Sequence, residues 1–321
     1  MSTEKKYDVI IVGELNVDLI LNQLPEMPVP GREIFAGQMT LTLGSSAAIL
    51  ASNLSSFGMK VAMIGKIGTD LFGDVVIAHL ERAGVHTGMI IRDALLNTGA
   101  SIGLQFNGDR GMVTYAGAMK HLSLNDIPLN SLQLARHLHF SSYFFQPGMQ
   151  PGLKSLFSTA KKLGLSTSFD MQTDPEHRWE IDYHNILRHV DIFFPNENEI
   201  QQITRKKDTE EAITAISHLV PILALKLGEK GSLTVHGGRR IMRPAFQVTE
   251  VVDAIGAGDS FNAGFLYQYL KNAPVNICQD YGNMAGAIST TACGGTAAFQ
   301  ELKSLDQYAK EKFGYPVACV T

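Results

Sequence analysis

The sequence predicts an α/β protein built on a mostly parallel sheet with helices on both faces, and three observations carry that reading. Short runs rich in β-branched and aromatic residues recur along the chain: "YDVIIVG", "KVAMIGKIG", "HLHFSSYF", "LSTSFDM", "VDIFFPN" and "ILALKLG". Helical patterns fill the intervals, at residues 47–57, 73–83, 152–163 and 196–204. Composition supplies the third: of 321 residues, 45% are hydrophobic and 18% charged, enough to bury a large core. Strands separated by helices make βαβ units and hence a parallel sheet.

The elements follow in order. Residues 9–12 read as a buried first strand; the apolar run is too short for a membrane span and lacks a small-residue cleavage site, so no membrane association is expected. Two regions interrupt the strand–helix rhythm. One is proline-rich "LPEMPVPGREIF" followed by the alternating "FAGQMTLTL"; the other, residues 100–115, is a pair of strands around "NGDRG", a hairpin signal. Both read as a small β-lid, formed by about residues 15–44 and 98–118, over a cleft beyond the carboxyl ends of the parallel strands. With no repeat, low-complexity tract or long linker, residues 1–321 read as a single domain.

Several function classes drop out. A net charge of −4 without a clustered basic face leaves nothing to grip a nucleic-acid backbone. Cys278, Cys293 and Cys319 are odd in number and far apart, which suggests neither disulfides nor a zinc site and fits a reducing cytoplasm. There is no GxxxxGK[ST], and "IVGELN" lacks the GxGxxG of dinucleotide binding, so P-loop and NAD-dependent readings are disfavoured.

The stretch "VVDAIGAGDSFNAGFLYQYL" carries the most chemistry. An amphipathic helix from about Gly256 places Phe261, Phe265, Leu266 and Tyr269 on overlapping faces, with Gly264 admitting a close neighbour. Free N–H groups at Gly256, Ala257 and Gly258, with the positive end of the helix dipole, suit phosphate oxygens. The same field favours the ionised form of Asp259, which could take a proton from an attacking hydroxyl. A glycine-rich turn with an ordinary Asp accounts for the same residues.

In "FFPNENEI", Asn196 and Glu199 stand i, i+3 at a helix start, either as Mg²⁺ ligands acting directly or through water, or as a plain helix cap. Lys226, Gly228 and Gly231 in "LKLGEKGSL" form either a phosphate-contacting loop or a hairpin turn. His137 and His139 read as same-face strand residues near a cleft rim rather than as a metal pair, and Trp179 as a packing anchor.

At "DAIGAGDSFNAGF" the sequence resembles the second signature of the PfkB, ribokinase-like, carbohydrate kinases, D-[ST]-x-G-A-G-D-x-F. The resemblance runs nearly end to end through "VGELNVDLI", "GSSAAILASNLSSFG", "GKIGTDLFG", "FDMQTDPEHRW" and "NENE". It implies a three-layer α/β/α fold with a small β-lid that often pairs across a dimer, and transfer of the γ-phosphoryl of ATP to a hydroxyl. By position, it implies Asp259 as base and the backbone of Gly256, Ala257 and Gly258 as anion hole, with Asn196 and Glu199 organising Mg²⁺. Lys226, Gly228, Gly231 and Asn283 would lie along the nucleotide. Asp253 resembles a monovalent-cation site, for K⁺, and Asn16, Asp18 and Gly44 would hold the acceptor.

This chain also departs from the family pattern. Ala254 stands where the signature has Thr or Ser, Ser45 where it has its second Gly, and Ile49 where it has Asn. Tyr143, Phe144 and Phe145 occupy the stretch in which ribokinase carries a substrate-binding Glu, so Ser45, Ile49 and Phe145 line a more apolar acceptor pocket than ribokinase's. Each hydrogen bond lost to a buried hydroxyl costs about 1–3 kcal/mol, enough to redirect specificity. The sequence thus predicts a kinase for a sugar or sugar derivative, with a nucleoside kinase or a non-catalytic ligand-binding relative as the alternatives.

Overall fold

The structure is a computed structural model that describes residues 5–106, 109–300 and 304–315. Cys319 and Asn107 and Gly108 of the expected "NGDRG" hairpin lie outside the described residues.

Fourteen strands are described: β1 Tyr7–Val12, β2 Asn16–Asn22, β3 Gln38–Leu43, β4 Val61–Ile64, β5 Lys66–Gly68, β6 Ile91–Asp93, β7 Gly99–Phe106, β8 Asp109–Tyr115, β9 Ala135–Ser141, β10 Ser166–Asp170, β11 Ile192–Phe193, β12 Ile222–Lys226, β13 Ser232–His236 and β14 Arg239–Arg243. The α-helices are α1 Ser46–Ser56, α2 Leu71–Arg82, α3 Leu153–Lys162, α4 Tyr183–Leu187, α5 Glu197–Thr204, α6 Thr209–Ile216, α7 Ala257–Leu270, α8 Val275–Ser289 and α9 Leu305–Phe313.

The main sheet has eight strands in the order β14-β13-β12-β11-β10-β9-β1-β4. It is parallel from β4 to β12, and β13 and β14 extend it antiparallel at one edge. Alternation sorts the side chains into two cores. Val9, Ile11, Val61 and Met63 face α1, α2, α7, α8 and α9, whereas Ile10, Val12, Leu138 and Phe140 face α3, α4, α5 and α6. This is the three-layer α/β/α arrangement expected from the sequence. A separate four-stranded sheet, β3-β2-β7-β8, forms the lid, with β2 and β7 parallel and the outer pairs antiparallel. No helix among the described residues is long and apolar enough to cross a membrane.

Two local expectations need correction. Helix α7 is not amphipathic: from Asp259 to Gln268 every residue is buried, because α8 and α1 cover faces that a surface helix would expose. Gly264 does admit a close neighbour, since a Cβ there would meet the Tyr281 carbonyl at 2.2 Å and the Ala285 Cβ at 2.8 Å.

His137 and His139 share a face of β9 but lie fully buried inside the molecule, not at a cleft rim. Their rings alternate with hydroxyls in one continuous run: Ser166, His137, Ser168, His139, Ser141, with contacts of 2.6–2.7 Å. Burial lowers both imidazoles to about 3, so both are neutral. A neutral ring has one donor and one acceptor nitrogen, and Ser168 has a single O–H, so at least one of the two rings donates to Ser168. Trp179, 4% exposed, packs edge-on against Phe144 and is an anchor as expected.

Candidate active site

Beyond the carboxyl ends of the parallel strands lies a cavity of about 780 Å³. Among the residues that the sequence singles out, Asn16, Asp18, Ser45, Ile49, Phe145, Gly256 and Asp259 line it. The lid strand β2 delivers Asn16 and Asp18: the Asn16 Nδ2 donates to Asp18 Oδ1 at 2.9 Å and to Ser101 Oγ of β7 at 3.2 Å. Gly44 makes room for that pair, because a Cβ there would meet Asp18 Oδ1 at 2.2 Å and Asn16 Nδ2 at 2.5 Å. Ile49 is 3% exposed and packs under the Gly256 turn, within 3.3 Å of where a Gly256 Cβ would be.

Backbone strain collects here. Of eight non-glycine residues at positive φ among the described residues, four line the cavity: Ser45 (72°), Ser142 (60°), Gln172 (60°) and His177 (56°). Such conformations cost about 1–3 kcal/mol each and persist only where the surroundings enforce them. Ser45, at the position the signature fills with Gly, is held by donating to the Glu14 carbonyl and by capping α1 through Ala48 N–H.

The glycine-containing turn at Gly256 starts α7. Gly256 takes φ 74°, which no bulky residue adopts easily, and the helix begins with Ser260 N–H donating to the Gly256 carbonyl. The N–H groups of Gly258 and Asp259 therefore precede the first helical hydrogen bond, while that of Ala257 donates to Ala254 O at 3.3 Å. Gly258 stands against the Lys226 side chain.

Asp259 is 7% exposed and accepts from Gln172 Nε2 at 3.0 Å. The helix field does not make it an ordinary carboxylate. Burial, then the negative charge of Asp170, raise it to about 6, against the pull of Lys226, the Ser46 hydroxyl and the Gln172 amide. Behind it, Lys226 Nζ donates to Asp170 Oδ2 at 2.7 Å, and Asn262 Nδ2 to the same oxygen at 2.5 Å. Burial opposes the Lys226 charge, but Asp170, Glu199 and Asp259 outweigh it and hold the ammonium above its usual range.

Asn196 and Glu199 form a reciprocal cap on α5: Glu199 N–H donates to Asn196 Oδ1, and the Asn196 backbone and side-chain N–H groups donate to Glu199. Asn196 occupies both oxygens of Glu199, and neither residue lines the cavity; the buried carboxyl still feels the charges of Asp170, Lys226 and Asp259, and burial and Asp170 raise it to about 7. Among the described residues no three His, Cys, Asp or Glu side chains are placed to ligate a metal by themselves. Asp170, Glu199 and Asp259, opposed by one lysine, do carry negative charge in excess, which suits a hydrated divalent cation.

The remaining positions lie outside the cavity. Gly228 and Gly231 form the tight turn between β12 and β13, at φ 59° and 95°. Gly231 packs on the Arg243 carbonyl, and Asn283 of α8 donates to the carbonyls of Arg243 and Pro244, so this segment joins the two. Asp253 accepts from Ile255 N–H and Gly294 N–H, tying the turn before α7 to "CGG".

Sequence reasoning missed Glu14, Asp170 and Gln172. Each sits at or just past the carboxyl end of a parallel strand, β1 or β10, and that position is the signal that could have found them.

A parallel α/β/α sandwich with a β-lid over a carboxylate-lined cleft defines a ribokinase-like protein. Adenosine kinase from Sinorhizobium meliloti superposes with a TM-score of 0.82 at 25% identity, covering 95% of this chain and 99% of that one. A protein of Archaeoglobus fulgidus described as an uncharacterized sugar kinase is 33% identical over 235 residues, 73% of this chain and 92% of its own. Deoxyribokinase of Salmonella typhi is 27% identical over 318 residues, 94% of this chain and 98% of its own. The pfkB family carbohydrate kinase profile matches residues 6–302. The chain belongs to that family and is an ATP-dependent carbohydrate kinase.

Proposed function

We propose that this enzyme transfers the γ-phosphoryl of ATP to a hydroxyl of a sugar or sugar derivative, with Asp259 as the base. The observation that carries the reading is a buried carboxyl at the start of α7, tuned to about 6, opening on a cavity that also presents Asn16 and Asp18. A base near the working pH both exists in its ionised form and takes a proton readily. The N–H groups of Gly258 and Asp259 and the Gly256 turn would face the transferring phosphoryl. Lys226 keeps the adjoining carboxylates from repelling it.

Mg²⁺, when bound, would neutralise phosphate charge, carried on water by Asn196 and Glu199. Gly228, Gly231 and Asn283 would border the nucleotide, and Asp253 with its loop carbonyls a K⁺ ion. A nucleoside acceptor is a second reading, favoured by Phe144 and Phe145 on the cavity wall and by the adenosine kinase neighbour. The outer lid face, with Met39 65%, Val113 65% and Tyr115 58% exposed, supports pairing with a second copy through the lid.

The test is a panel of sugars and nucleosides with ATP, Mg²⁺ and K⁺, read as ADP release. Turnover of a free sugar supports the first reading, and a preference for a nucleoside over every sugar sinks it in favour of the second.

A further inference from the structure

Glu14 follows β1 and is 4% exposed, yet its carboxyl lines the cavity. Its Oε1 accepts from the Ser46 N–H at 2.7 Å, at the start of α1. Its Oε2 is buried and makes no hydrogen bond of good geometry, the Ser142 hydroxyl being a neighbouring donor that favours the ionised carboxyl. A buried carboxyl oxygen without a well-placed partner is costly unless something else completes it. Helix capping explains Oε1 alone.

The surroundings decide which form of the group is present. Burial raises Glu14 to about 7, with Asp259 of α7 adding to the rise, while the neutral donors Ser142, after β9, and Ser46 oppose it. Since Ser46 N–H occupies Oε1, a proton on this group belongs on Oε2. Ser46 stands between the two carboxyls: its N–H holds Glu14 and its hydroxyl supports Asp259.

We propose that Glu14 is an acceptor-recognition residue, whose Oε2–H donates a hydrogen bond to a second oxygen of the acceptor while the reacting hydroxyl faces Asp259. The inference rests on the kinase reading above and narrows the acceptor class: a polyoxygenated molecule with a carbonyl, ring or hydroxyl oxygen beside the phosphorylated hydroxyl. The bond exists while Oε2 is protonated, so acceptor affinity weakens as pH rises through about 7.

The experiment uses the acceptor that the wild type turns over fastest in the panel. Glu14→Ala is expected to raise the acceptor KM tenfold or more at pH 6.5, with the ATP KM unchanged. Glu14→Gln keeps its oxygen on Ser46 and turns its amide N–H toward the acceptor; it should recover most of the lost affinity and flatten the rise of KM above pH 7. An acceptor analogue lacking the partner oxygen should bind wild type and Glu14→Ala alike. Glutamine as damaging as alanine, an unchanged KM in both variants, or parallel shifts in acceptor and ATP KM each overturn the proposal, as does a wild-type KM flat across pH 6–8. A wild type silent on the whole panel overturns the kinase reading itself. Thermal melting of each variant separates lost capping from lost recognition.

Discussion

The two larger sheets of this molecule handle alternation in opposite ways. In the eight-stranded sheet both faces are covered, and even its polar residues, His137, His139 and Ser168, are buried and paired with one another. In the four-stranded sheet the faces diverge: Asp18, Ser101 and Thr114 look into the cavity, while Leu41, Ile102 and Val113 look outward to solvent. The difference teaches a division that can be tested: stability in the large sheet and its helices, and, on the proposed function, recognition shared between the lid and the strained turns beyond the carboxyl ends of the large sheet's strands.

The sharpest challenge to that division lies where the two sheets meet. Asp259→Asn should lower kcat about 10²–10⁴-fold, with ATP affinity and melting temperature unchanged; unchanged turnover of the true acceptor would remove Asp259 from the base role. In the wild type, kcat/KM should fall on acidification with an apparent pKa of about 6.

The large sheet's own signature is acid sensitivity. Both imidazoles are held at about 3, below the ordinary 6.5, so the stability they contribute is present above pH 6.5 and is lost as pH falls toward 3. The slope is about 1.4 kcal/mol per pH unit for each ring. Melting curves from pH 7 to 4 measure it, and a His139→Gln variant should show a shallower slope.

On the lid side, Gly44→Ala forces a methyl onto Asp18 and Asn16 and should raise the acceptor KM about tenfold or more, with little change in melting. Gly264→Ala is its counterpart in the core: it drives α7 from α8 and should cost about 1–3 kcal/mol of stability while leaving KM alone. If the lid variant melts early and the core variant changes KM, the division of labour is wrong. The smallest effect is expected at the outer lid face. Met39→Ser should alter stability by less than about 0.5 kcal/mol yet weaken self-association in sedimentation.

Much of the fold was legible because its signals are local. Strands such as Tyr7–Val12 and helices such as Leu71–Arg82 announce themselves by apolar periodicity, and Asp70 caps the latter. Helix α7 was legible in position but not in character, because its exposure depends on whether α8 covers its far side. The glycines of the turn before Asp259 were visible as a pattern, whereas Glu14, Asp170 and Gln172 were not, being single polar residues among ordinary strand ends.

What the sequence determined by itself was the order of strands and helices, the two interruptions that become the lid, and the Gly256 to Asp259 turn. These depend on backbone preference and periodicity, which neighbours in the chain settle. Only the tertiary structure decided which carboxyls are buried together, that the two histidines join a single hydrogen-bonded run, and that Glu14 keeps one oxygen without a well-placed partner. Those properties arise from desolvation and charge between residues distant in sequence, as Glu14 and Asp259 are, and they exist only once folding has brought such residues together.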